Sequence, residues 1–210
     1  MKALPKKLLP LTLFAIAVIS LFSVRPARAY TVTLQQVGSN VVANGSGAIN
    51  LTGLTFSLPG SLLVGIRSLT GVILTGPTGS TADVGLYAGF TGPTNFGSGR
   101  FFLANTGSGD LVGIEAGEVG GVLAVPPGYV SNTALSSSST WNNATFAILD
   151  VIPGTYVWSW GAGLPNQNFT LIIGGAGVPD GGSTVSLLGF ALLGLAALRR
   201  KLPLLRGTKS

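Results

Sequence analysis

The chain has no cysteine and no histidine in its 210 residues. Without thiols it has no disulfide staples and no thiolate zinc or iron–sulfur ligands. Without imidazole it lacks Ser-His-Asp and Cys-His nucleophile activation, histidine metal sites and the usual general base near neutral pH. Charge is also scarce, with Asp, Glu, Lys and Arg making up 9% of the chain. The formal charge of +6 misleads, because five of the twelve cations lie in 1–29 and five in 199–210. From Tyr30 to Gly177 there is no lysine. Arg67 and Arg100 stand there against Asp83, Asp110, Glu115, Glu118 and Asp150, a net charge of −3. A phosphate-binding surface needs clustered cations, so this composition argues against nucleic acid as a partner. Together these absences predict a protein that is not an enzyme and has no cofactor and no metal.

What is present begins with two polarised ends. Lys2, Lys6 and Lys7 precede an uncharged, mostly apolar stretch from Leu8 to Phe22, followed by Ala27-Arg28-Ala29. A basic leader, a short apolar stretch and small residues at the first and third places before a cut define a signal peptide over 1–29. Cleavage is expected between Ala29 and Tyr30, with the export translocon and signal peptidase as partners. At the other end Val178-Pro179-Asp180-Gly181-Gly182-Ser183-Thr184 precedes an uncharged run, Val185 to Leu198, then Arg199-Arg200-Lys201. Fourteen residues rise only about 21 Å as a helix, against roughly 30 Å of bilayer core, but counted from Val178 the stretch just crosses. The three cations would then stay on the cytoplasmic side. Leu187, Leu188, Phe190, Leu192, Leu193 and Leu195 surround the helix rather than forming one stripe, as a lipid-facing element requires.

This order of short Val-Pro motif, Leu/Gly/Ala-rich helix and terminal Arg cluster resembles the PEP-CTERM sorting signal of Gram-negative bacteria. Residues 178–184 most resemble the variant that opens Val-Pro-Asp-Ser-Gly, with Gly181 standing where that variant has Ser. The resemblance spans 178–201 and leaves 202–210 as a basic cytoplasmic tail. It implies recognition by an exosortase-type membrane protease, a transient inner-membrane anchor, and a mature form at the cell surface or outside the cell. The segment Pro153 to Gly161 also resembles segments that recur just before this signal.

The body, residues 30–177, is long enough for one domain with a sizeable core. Thr31-Val32-Thr33-Leu34-Gln35 alternates polar and apolar residues, as a half-buried strand does. Val41 to Ala43 is a short run, and Asn44-Gly45 is a tight-turn dipeptide. Further runs are 48–56, 71–74, 83–90, 100–103, 111–114, 122–125, 144–149, 155–160 and 169–173. Ser136 to Thr140 reads as a polar loop. Thr-Gly-Pro-Thr occurs at 75–78 and 91–94, which suggests similar turns at the two ends of one strand. About eleven short strands with frequent turn signals predict an all-β fold, a single antiparallel β-sandwich or jelly-roll-like domain. A signal helix would flank it on one side and a transmembrane helix on the other.

Within the body, Tyr156, Trp158 and Trp160 alternate, so their rings share one face of a strand. Such a row is a candidate glycan-stacking platform, but it is also what a core strand looks like, and the polar opposite face favours the core. Asp110, Glu115 and Glu118 in a Gly-rich stretch could suggest calcium. Their spacing matches no EF-hand and reads better as solvated loop charge. The sequence therefore predicts an exported structural protein of the cell surface or extracellular matrix. The alternative is a carbohydrate-binding module, with exopolysaccharide as its partner.

Overall fold

The computed structural model describes residues 28–117 and 120–174. The expected signal helix, the C-terminal transmembrane helix, Ala27, Glu118, the 178–184 motif and Arg199 to Lys201 lie outside the described residues. Two sheets carry the described chain. The first has six strands: β1 (Tyr30–Val37), β2 (Asn40–Ala48), β8 (Thr106–Gly109), β11 (Ala134–Trp141), β12 (Gly154–Ser159) and β13 (Asn168–Ile173), in the order β12-β13-β1-β2-β11-β8. The second has seven: β3 (Thr55–Leu62), β4 (Gly65–Arg67), β5 (Val72–Thr75), β6 (Ala82–Ala88), β7 (Phe102–Leu103), β9 (Val112–Glu115) and β10 (Val122–Val125), in the order β3-β6-β10-β9-β5-β4-β7. Helix α1 (Phe146–Leu149) is a single turn. Among the described residues no helix is long and apolar enough to cross a membrane.

Alternation builds the core. In β1, Tyr30, Val32 and Leu34 are buried while the residues between them are only partly so. They meet Phe169, Leu171 and Ile173 of β13 and, from the second sheet, Ile66, Ile73, Ile114 and Leu123 in one apolar cluster. The second sheet is apolar on its other face too, where Val72, Leu74, Val84, Leu86 and Ala124 form a second cluster. That is why β5 reads as an unbroken run, Val72-Ile73-Leu74-Thr75, with every residue buried.

The structure corrects several expectations. The sheets are not wholly antiparallel, because β1 and β13 run parallel, from Tyr30 opposite Phe169 to Leu34 opposite Ile173. The chain therefore enters β1 at one end of this sheet and leaves β13 at the other. Ser136 to Thr140 is not a loop but the middle of β11, paired with β2 on one side and β8 on the other. Asn44-Gly45 is not a turn; it lies inside β2, opposite Thr33 and Val32 on one side and Ser138 and Ser137 on the other. The run 144–149 turns helical instead of extended, because the Thr145 hydroxyl accepts from the Ile148 amide and caps the turn. The run 48–56 is divided: β2 stops at Ala48 and β3 begins at Thr55.

Buried hydroxyls join the two sheets. The Tyr30 hydroxyl lies 2.6 Å from Ser137 Oγ, which lies 2.7 Å from Thr75 Oγ1, and Thr75 donates to the Val112 carbonyl. Ser139 Oγ accepts from the Gly76 amide at 3.0 Å. The join leaves no room at position 45, where a Cβ would overlap both the Tyr30 hydroxyl and Ser137 Oγ. Gly45→Ala is therefore expected to cost about 1–3 kcal/mol, the usual cost of overpacking, read as a lower midpoint in urea unfolding. Burial pushes the Tyr30 phenol up to about 12, against 10.0 for a free one. A raised folded-state value means stability that is complete below pH 10 and is lost as pH rises towards 12. Tyr30→Phe should flatten that loss in an alkaline unfolding titration while lowering stability at pH 7.

Candidate functional site

The aromatic row of β12 points inward. Trp158 is fully buried and its Nε1 donates to the Pro93 carbonyl at 2.8 Å. Its ring meets Phe169 edge-on at 5.9 Å and Phe96 at 6.5 Å. Trp160 is 6% exposed and donates to the Asn50 carbonyl at 2.7 Å. Tyr156 is half-buried against Phe96, and its hydroxyl donates to the Ile152 carbonyl. Thr155, Val157 and Ser159 face outward. A sugar needs an open ring face, and the indoles of Trp158 and Trp160 have none to offer. Of the two readings of Tyr156, Trp158 and Trp160, the structure shows the core one that the polar opposite face favours, not the glycan-stacking platform. The third tryptophan, Trp141, is buried as well and donates to the Phe102 carbonyl.

This row also separates the two Thr-Gly-Pro-Thr segments. Gly76 has φ +140, a region glycine favours, and follows β5. At Gly92 the constraint is contact: a Cβ there would press on the Trp158 indole at 2.5 Å. One tetrad begins at the last residue of β5 and the other lies against the Trp158 ring.

Among the described residues the acids do not assemble into a site. Asp110 is held by its own strand neighbours, with Oδ2 accepting from the Ser136 amide at 2.9 Å. Glu115 ends β9 between Val72 and Val122, and burial raises its carboxyl above the usual range. Asp150 caps α1 in a left-handed conformation and accepts from Ser98 Oγ at 2.6 Å. Among the described residues no three His, Cys, Asp or Glu groups are placed to hold a metal ion. At the expected leader boundary, Ala29 bridges to Ala48, the Arg28 carbonyl accepts from the Ala48 amide at 2.8 Å, and Tyr30 is buried.

One open feature was missed by the sequence reading. A cleft of about 530 Å³ lies along β3 and β6, lined by Pro59, Gly60, Ser61, Asp83, Val84 and Pro127. Ser61 and Asp83 are cross-strand partners, as are Pro59 and Gly85, and Phe56 and Tyr87. A bulge at Ser57 separates Phe56 from the rest of β3. No periodic signal marks this stretch, since nearly all of β3 is exposed on both faces.

The burial of β12 yields a direct expectation. Trp158→Ala should leave a cavity and cost about 3–5 kcal/mol. Val157→Ala, on the exposed side of the same strand, should stay within about 0.5 kcal/mol. Chemical unfolding of both variants measures the difference.

The family model described as the VPDSG-CTERM motif matches residues 177–202. No curated protein and no solved structure matches the chain. The similarity therefore lies after the described body: residues 177–202 carry a PEP-CTERM-like sorting motif of the VPDSG variant.

Proposed function

We propose that this is a structural protein of the cell surface or extracellular matrix, without enzymatic activity, whose body is a β-sandwich delivered by its C-terminal signal. The observation that carries the proposal is the sorting motif at 177–202, which marks an exported protein anchored transiently in the membrane. The motif is consistent with an exosortase-type protease as the processing partner. In this reading Val178 to Thr184 is the recognised segment, Val185 to Leu198 the temporary anchor, and Arg199 to Lys201 the basic stop. The structural role is supported by what the body is made of. Its indoles and most of its large apolar side chains fill the core, its described acids sit on separate elements, and the whole chain lacks histidine and cysteine.

The test is a processing assay in the native host with a Pro179→Ala/Asp180→Ala variant. Wild type should yield a product lacking the segment after the motif, detected by mass spectrometry. The variant should remain full length in the membrane fraction. Identical processing of the two proteins would overturn the assigned role of the motif.

A further inference from the structure

The cleft along β3 and β6 has the chemistry of a small recognition site. Its polar side chains are free: no hydrogen bond among the described residues engages the Asp83 carboxylate or the Ser61 hydroxyl. Its apolar walls are rigid, with Pro59 and Pro127 both exposed. Beyond its lining, on the same strand pair, Phe56 is 53% exposed and packs edge-on against Tyr87 with ring centres 5.4 Å apart. Gly85 lies between these two groups. The two rings close over the place its side chain would occupy, with Tyr87 Cε2 3.2 Å and Phe56 Cε2 3.7 Å from an added Cβ. The bulge beside Phe56 is the kind of irregularity that re-aims a side chain at the rim of a sheet.

We propose that this strand pair binds a neutral polysaccharide, with Phe56 and Tyr87 packing against the apolar face of one sugar ring and Asp83 and Ser61, in the cleft beside them, bonding hydroxyls of a neighbouring sugar in the same polymer. Three features select that ligand class. No lysine or arginine lines the cleft, so an anionic polymer or a phosphate has no counter-charge there. A lone carboxylate accepts hydrogen bonds from neighbouring hydroxyls, and Ser61 both donates and accepts, matching a polyhydroxylated ring. Rigid aromatic and proline surfaces with a few placed polar groups are also how small-ligand sites obtain contact area at little entropic cost. The site is independent of the buried β12 row, and its failure would leave the processing reading untouched.

The experiment uses the protein purified as the cell processes it, titrated calorimetrically with cello-oligosaccharide, mannan and dextran. Alginate serves as the anionic comparison and a proline-rich peptide as the protein-ligand comparison. At least one neutral glycan should bind, with affinity unchanged when salt is raised. Phe56→Ala should weaken it about tenfold, the loss of one ring contact, with unchanged thermal stability. Asp83→Asn should weaken it as well, and Trp158→Ala serves only as the folding control. Absence of binding to all three neutral glycans, binding that survives both Phe56→Ala and Asp83→Asn, or binding of alginate or the peptide alone would overturn the proposal.

Discussion

Everything in the body is arranged around the distance at which Tyr30, Ser137 and Thr75 can exchange hydrogen bonds across the two sheets. These hydroxyls are buried, so each must find a partner or destabilise the fold by the desolvation of an unpaired group, about 1–3 kcal/mol. The pairing works only if the backbones stay close, which in turn dictates glycine at position 45 of β2. The same proximity lets the serine at 139 accept from the Gly76 amide. Among the described residues no buried side-chain nitrogen or oxygen is left without a partner. A protein with so few charged side chains has used hydroxyls to fix the register of its sheets, where others use ion pairs.

That choice explains which parts of the fold could be read from the residues. The alternation in Thr31 to Gln35 and in Thr155 to Trp160 announced β1 and β12, and the structure shows all-β sheets with almost no helix. In β11 the alternation exists in space but not in letters, since Ser137 and Ser139 point inward and Ser136 and Ser138 outward. A run of identical residues carries no period-two signal. Asn44-Gly45 misled for a related reason, because glycine served close packing there and not a turn. The parallel pairing of β1 with β13 joins residues about 140 positions apart in the chain, beyond the reach of any local pattern.

The candidate sites divide along the same line. Three alternating aromatics look alike whether they face a core or a solvent; Thr155 and Ser159 on the opposite face tip β12 towards the core, and tertiary packing shows it there. Phe56, by contrast, stood in no recognisable row. It is conspicuous only because β3 forms the edge of its sheet and leaves the ring uncovered. The sorting signal was the legible part because it is read as a linear order of motif, apolar run and cations, without needing any fold. Its segment and the body therefore carry separate information: one specifies destination, the other shape.

The scarcity of cations has a last consequence, for durability. After Arg28 the described chain presents a protease that cuts after basic residues with only Arg67 and Arg100. Arg67 closes β4, hydrogen-bonded opposite Val72, and the Arg100 guanidinium lies 5.3 Å from the ring centre of Phe102. Proteolysis needs a locally opened segment, and at Arg67 the sheet must unzip to supply one, whereas Arg100 is exposed just before β7 and is the more accessible of the two. The absence of lysine also means that no side-chain amine in the body is open to acylation or aldehyde cross-linking. To amine-directed chemistry, this body is inconspicuous.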